Sequence, residues 1–438
     1  MTSLRSCIIG AGAAGMAALQ VLTHRGFAVE CFERTDRVGG HWHTDYDSLH
    51  LITSRDVSGF AGYPMPADYP VYPSRDQMRA YLESFARHHR LYERIAFGTE
   101  VTAIRPRGRA GRDGWTVQTS DGSSREYDAV LIANGHLTDP CIPRYEGEFT
   151  GKQLHSSGYR NVGEIEGDRV LVVGAGNSGC DVVVDAANAR LDAHISIRHG
   201  QMFQPKAIFG KPRAELRWLA RLPAFAQERV TRALINVVVG PTSAYRGLPE
   251  PATRNLDKQR PVVNNLLLYW IQHGRITVQP GIERFAGRTV HFTDGTQSDF
   301  DAVIWATGFK TTFPFLDRSL LTWENGTPLR VGGLTVPVGL ERLYFVGLAA
   351  PRGPQLPVYS AQSELIARCL EVLERDDVAL SAYLAARQTP DSRIDIVRRT
   401  WQAQMDRTRR DLDRLLRRAP GSVRSRLTQA SEPSLTRT

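Results

Sequence analysis

Cysteine is scarce and badly placed for chemistry. The five cysteines, Cys7, Cys31, Cys141, Cys180 and Cys369, form no CxxC or CxxxxC pair. That excludes a zinc site built on paired cysteines and a redox-active disulfide. An odd, scattered set fits a reducing, cytoplasmic setting. Long apolar runs are missing too. None approaches 18 residues, so no integral membrane segment is expected. Metal-ligand patterns are equally thin. His41 and His43 make an HxH pair, but no acid or cysteine pattern completes a site, and no metal is expected. Charge of one sign is in excess only at one end. Lys and Arg number 55 against 46 Asp and Glu, a net +9. Residues 401–438 hold nine arginines and four acids, more than half of that excess. This reads as a solvated basic tail and not as a nucleic-acid site. What is there is ordinary globular material: 438 residues, 42% hydrophobic and 23% charged, with room for two or three domains.

The first 22 residues imitate a signal peptide, with Arg5 followed by an apolar Ala/Gly-rich stretch. The glycines argue otherwise. Residues 6–9 read as a buried strand, and Gly10-Ala11-Gly12-Ala13-Ala14-Gly15 opens a helix running to about His24. This is G-x-G-x-x-G at a strand-to-helix turn, a dinucleotide fingerprint. Gly10 permits the turn, Gly12 admits a pyrophosphate to the backbone, and Gly15 lets helix and strand pack closely. The helix N-terminus offers free N–H groups to phosphates. A second strand over 28–32 ends at Glu33, 23 residues after Gly10, where an acid can hold both ribose hydroxyls. Glu30 is the rival acid, inside the strand. Arg34 follows, and then Gly39-Gly40-His41-Trp42, where two glycines let backbone approach a flat ligand. Trp42 alone would read as core. Beside the fingerprint it reads as a wall for a flavin ring.

The fingerprint recurs. A strand over 169–173 precedes Gly174-Ala175-Gly176-Asn177-Ser178-Gly179, and a helix follows to about 189. The next strand ends at Arg198, 24 residues after Gly174. A cation now stands where Glu33 stood, and it can grip a 2′-phosphate, with Ser196 as a helper. The second nucleotide is therefore read as NADPH. Two nucleotide sites on one chain suggest hydride passing from a nicotinamide to a flavin.

Between the fingerprints lies Phe149-x-Gly151-x-x-x-His155-x-x-x-Tyr159-Arg160. It resembles the FxGxxxHxxx(Y/F)(K/R) signature of class B flavin-dependent monooxygenases, the flavin-containing monooxygenase group. Leu131 to His136 and Ala306-Thr307-Gly308-Phe309 resemble that family's two crossovers between domains. Tyr63-Pro64-Met65-Pro66 and Tyr72-Pro73 resemble its proline-rich loop near the flavin. Gly347-Leu348 through Gln362 resembles its last FAD-facing loop and helix. The resemblance covers about residues 5–370. It implies FAD and NADPH as cofactors, and O₂ added at flavin C4a as a hydroperoxide. One oxygen atom would then pass to a nucleophilic N or S of a small molecule. Tyr159-Arg160 departs from the Trp-led pair usual in the Baeyer–Villiger branch.

One departure from the family stands out. Where a supporting loop Asn is expected, this chain reads Ile52-Thr53-Ser54. Isoleucine donates no hydrogen bond, so Thr53, Ser54 or a water would have to substitute. Uncoupled NADPH oxidation to H₂O₂ is therefore the second reading, and ketone oxygenation a third. A non-catalytic flavin- or NADPH-binding sensor is the reading from another class.

The expected architecture is α/β, with two Rossmann-like dinucleotide-binding domains, the NADP domain inserted in the FAD domain. The FAD domain would span 1–160 and 315–400, and the NADP domain 161–314 with a helical insertion at about 200–262. A basic tail would occupy 401–438, with a charged helix at about 392–418 and a disordered end. A homodimer is one open assembly.

Overall fold

The computed structural model describes residues 4–255 and 258–417. In chain order it places β1 (Arg5–Ile9), α1 (Ala13–His24), β2 (Ala28–Phe32), β3 (Ile95–Ala96) and β4 (Ala129–Ile132). Then come β5 (Lys152–His155), β6 (Arg169–Val173), α2 (Asn177–Asn188), β7 (Asp192–Ser196), α3 (Ala224–Val239), β8 (Ile276–Gln279) and β9 (Ala302–Trp305). The chain closes with β10 (Leu343–Phe345), α4 (Leu356–Arg375) and α5 (Arg398–Leu416).

Each fingerprint strand sits at the centre of a five-stranded parallel sheet. The first runs β10-β4-β1-β2-β3 and the second β8-β7-β6-β9-β5. A parallel sheet covered on both faces needs apolar residues at successive positions. Cys7 and Ile8 of β1, and Val170, Leu171 and Val172 of β6, are all fully buried. Ile8 faces the helices with Leu19, Leu22 and Leu370. Cys7 and Ile9 face the other way, onto Trp115 and Val117. Those two belong to a three-stranded antiparallel sheet, Val101–Pro106, Trp115–Thr119 and Ser124–Tyr127. The second sheet repeats the plan with Ile282–Ala286, Thr289–Phe292 and Gln297–Asp299. One face of each parallel sheet is thus covered by strands, where a doubly wound unit has helices.

The second sheet takes its edge strand β5 from ahead of residue 161. The signature residues hold this crossing. Gly151 has no room for a Cβ, which would lie 2.4 Å from the Asp301 carbonyl. His155 ends β5, and its Nε2 lies 3.1 Å from the Gly308 carbonyl. Asp139–Pro140 pairs antiparallel with Phe309–Lys310, so the two connections between the sheets run side by side. The motif's chemistry is therefore structural: it seats one sheet on the other.

The insertion is only partly helical. It holds the 16-residue α3 and short strands, Phe203–Gln204 paired with Val262–Val263 and Ala207–Ile208 with Lys211–Pro212. At the C-terminal end α5 packs on α4 and buries Trp401, Met405 and Leu412. Most of the expected tail and its disordered end lie outside the described residues. Among the described residues, no helix is long and apolar enough to cross a membrane.

Candidate functional site

The first turn is built by steric exclusion. Gly10 has φ +99°, and a Cβ there would lie 2.9 Å from the Ala133 carbonyl oxygen. At Gly15 a Cβ would lie 1.8 Å from the Gly10 carbonyl oxygen, so only glycine lets α1 sit against β1. Glu33 reaches back into this turn. One carboxylate oxygen accepts the Ala11 N–H at 2.7 Å, and the other accepts the Thr35 N–H and hydroxyl at 2.9 Å. Glu30 is engaged elsewhere, by Arg125 and by the Tyr127 hydroxyl. Gly39 donates to the Ala11 carbonyl at 3.1 Å, folding the Gly39-Gly40 loop across the turn. Trp42 packs against the core and stacks on His41, with ring centres 5.2 Å apart. Arg34 is exposed. Gln362 is fully buried, with both amide atoms engaged. Its Oε1 accepts the Gly347 N–H at 2.9 Å and its Nε2 donates to the Ala349 carbonyl at 3.1 Å. It acts through that loop, which lies on Ala14 in the first turn of α1.

The second turn copies the first. Gly174 has φ +106°, and a Cβ at Gly179 would lie 1.9 Å from the Gly174 carbonyl oxygen. Asn177 Oδ1 accepts the Val263 N–H at 3.0 Å. Ser196 is buried, and its hydroxyl donates to the Pro280 carbonyl at 2.6 Å, so it is not available to a phosphate. Arg198 is exposed, with no ion-pair partner among the described residues.

The residues fit two dinucleotides. Both helices begin at a glycine, Gly12 or Gly176, with no side-chain cap and no acid in the first turn. Their first N–H groups are left for a phosphate. A Cβ at Gly176 would meet no atom within 4 Å, leaving the open cradle a pyrophosphate needs.

Ile52-Thr53-Ser54 lies across a loop from Tyr72. Leu51 N–H donates to Pro73 and Arg55 N–H to Val71, both at 2.9 Å. Ile52 is half-buried. The Thr53 hydroxyl is engaged with Ser58 Oγ at 2.7 Å. Ser54 is 1% exposed, and its hydroxyl has no hydrogen-bond partner among the described residues. A buried hydroxyl without a partner is free to donate to a bound ligand or a water. Of the three residues, Ser54 is the one with an unused donor.

Sequence reasoning missed what holds the two sheets in register. Tyr46 donates its hydroxyl to Asp181 at 2.8 Å, and Asn264 donates to the other carboxylate oxygen at 2.8 Å. One turn along α2, Asp185 accepts from Ser48 at 2.6 Å and from Tyr159 at 3.4 Å. Helix α2 is thereby tied to the segment leading into Ile52-Thr53-Ser54. The available signal was a pair of acids four residues apart in the apolar run Asp181-Val-Val-Val-Asp185.

Burial pushes the Asp181 carboxyl up to about 6, against the pull of Tyr46, Lys206 and Asn264. The sign of its pH effect follows. The folded state binds this proton more tightly than the unfolded chain, so the residue adds stability as pH falls and loses it as pH rises through 6. Between pH 8 and pH 5 the gain is about 1.4 kcal/mol. Asp181→Asn removes the titration. Thermal unfolding across that range is expected to show wild type gaining on the variant by this amount toward pH 5. A gap that stays constant with pH would refute the assignment.

The comparisons agree with this geometry. The model of the flavin-binding monooxygenase-like family matches residues 3–383. Flavin-containing monooxygenase 3 of Rattus norvegicus is 30% identical over 389 residues, covering 83% of this chain and 73% of that protein. A flavin-containing monooxygenase from Stenotrophomonas maltophilia superposes with a TM-score of 0.66 at 23% identity, over 85% of this chain and 99% of that one. An open structure of cyclohexanone monooxygenase gives 0.70 at 17% identity, over 94% and 98%. At those identities the two structures speak for the fold alone. The family match and the identity with the rat enzyme go further. The chain belongs to the flavin-binding monooxygenase-like family and is a monooxygenase that uses FAD and NADPH.

Proposed function

We propose that the chain inserts one oxygen atom of O₂ into a nucleophilic nitrogen or sulfur of a small molecule, at the expense of NADPH. The observation that carries this reading is the pair of uncapped glycine turns, with the helix of the second, α2, tied through Asp181 and Asp185 to the segment that follows the Gly39-Gly40 loop. FAD at the first turn and NADPH at the second would supply hydride transfer and the activation of O₂. The chain's own residues do the rest. Glu33 and the Gly39-Gly40 loop hold and flank the first dinucleotide, and Arg198 selects the second. Tyr46, Asp181, Ser48 and Asp185 fix the distance between the two, and Ser54 donates a hydrogen bond into the seam. Two carboxylates receiving hydroxyls one turn apart leave little freedom to slide.

The scattered thiols support a reducing cytoplasm. All five cysteines are unpaired, and four are buried.

A second reading, NADPH oxidase activity, is favoured by Ile52, which offers no donor where one is expected. Purified yellow protein in air separates the two. NADPH consumption and H₂O₂ release are recorded together without substrate. Slow consumption with little peroxide, followed by acceleration on adding amines or sulfides, supports oxygen transfer. Near-stoichiometric peroxide that no substrate suppresses would establish the oxidase instead. Ile52→Asn is expected to lower the peroxide released per NADPH at least about tenfold, in line with a restored donor of about 3 kcal/mol. An unchanged ratio would remove Ile52 from that role.

A further inference from the structure

Tyr72, Lys206 and Arg213 meet where the insertion touches the loop opposite Ile52-Thr53-Ser54. The Tyr72 hydroxyl is buried without a hydrogen-bond partner among the described residues. Lys206 places its Nζ 5.6 Å from the centre of the Tyr72 ring. Arg213 N–H donates to the Lys206 carbonyl at 3.0 Å, so the two residues stand opposite each other across one hairpin, and the Arg213 charge, like that of Lys206, acts on Tyr72. Arg213 Nε is also buried and unpartnered. Among the described residues, neither Lys206 nor Arg213 has an ion-pair partner. Two acids lie nearby, and among the described residues neither forms an ion pair with them. Glu215 acts on Tyr72 from beyond hydrogen-bond range. Asp181 and Lys206 attract each other at a distance, but both carboxylate oxygens of Asp181 take their hydrogen bonds from Tyr46 and Asn264 and neither pairs with Lys206.

A buried guanidinium Nε and a buried phenol without acceptors are costly unless an anion completes them, and Lys206 adds a second positive charge beside the phenol ring. Burial pushes the Arg213 guanidinium down from its ordinary value, as expected of a desolvated cation awaiting a counter-charge. The unpartnered Ser54 hydroxyl lies on the facing segment.

We propose that Tyr72, Lys206 and Arg213 bind the carboxylate of an anionic substrate and direct its sulfur or nitrogen toward the Ile52-Thr53-Ser54 segment. The proposal rests on the oxygen-transfer reading above. A phosphate of the nicotinamide cofactor carries the same chemistry, and the test separates the two.

The FAD-loaded enzyme is titrated with 3-(methylthio)propanoate, with the neutral 3-(methylthio)propanamide, and with NADP⁺, following the flavin spectrum. Sulfoxide formation is measured alongside. Wild type is expected to bind the acid at least about tenfold tighter than the amide, the worth of one charge-assisted hydrogen bond. Lys206→Met and Arg213→Met should each bring that ratio close to one, and Tyr72→Phe should reduce it several-fold. Lys206 is only partly buried, so Lys206→Met keeps the test open where Arg213→Met does not fold. NADP⁺ affinity should stay within about twofold throughout, since no cofactor contact is removed. Equal binding of acid and amide by wild type overturns the proposal, as does a flavin spectrum that responds to neither. So does a preference that survives Lys206→Met. Loss of NADP⁺ affinity with the acid preference intact assigns the cluster to cofactor phosphate. A clear acid preference without any sulfoxide would sink the oxygen-transfer reading and leave the anion site standing.

Discussion

Gly179→Ala is expected to give a yellow protein that NADPH no longer reduces efficiently. The alanine Cβ would lie 1.9 Å from the Gly174 carbonyl oxygen and 3.1 Å from the Ala306 Cβ. The first obstacle is backbone, so no side-chain rotation relieves it. Helix α2 must tilt away from β6, carrying its phosphate-binding N–H groups with it. Overpacking of this kind costs about 3 kcal/mol at the upper end, or roughly a 100-fold loss in NADPH affinity. The FAD site should be spared, because its turn belongs to the other sheet. Gly15→Ala is the mirror experiment. Its Cβ would lie 1.8 Å from the Gly10 carbonyl oxygen, and the expected result is loss of bound FAD. The checks are flavin content by absorbance and anaerobic reduction by NADPH. If Gly179→Ala were reduced as readily as wild type, or lost its FAD equally, the division of labour between the turns would be wrong.

Arg198→Ala should raise the NADPH KM by about 10- to 100-fold while leaving the NADH KM within a few-fold. The guanidinium is exposed at the end of β7 with no ion-pair partner among the described residues. Its removal therefore disturbs little of the fold, and its charge is available to a 2′-phosphate. Charge-assisted bonds of this type contribute about 1.5–3 kcal/mol. NADH lacks the phosphate and should not register the loss. Steady-state kinetics with both nucleotides decide the matter. Equal damage to NADPH and NADH would show that Arg198 supports the loop and does not read the phosphate. Ser196 offers no second grip, since its hydroxyl already serves Pro280.

Much of this was legible in the sequence because the requirement was local. A glycine that must have φ near +100°, or that must let a helix touch a strand, is dictated by atoms within a few residues of it. Gly10, Gly15, Gly174 and Gly179 therefore announced both turns, and the apolar strands before them announced two buried parallel sheets. Glu33 and Arg198 are proposed on the same kind of ground, by counting along a βαβ unit of nearly constant length.

The tertiary structure alone decided the rest. Tyr46 meets Asp181, and Lys206 meets Tyr72, only after two sheets have packed through a pair of connections that run side by side. No periodicity along the chain encodes a contact between residues more than a hundred positions apart. Ser196 and Gln362 sit where the sequence placed them, yet their polar atoms are taken by Pro280, Gly347 and Ala349. Which hydroxyl or amide is used within the fold, and which is left for a ligand, depends on its neighbours in space. Sequence determined where the two glycine turns lie, because backbone sterics are short-range. The structure decided what lies between them, because burial and hydrogen-bond pairing are properties of the packed whole.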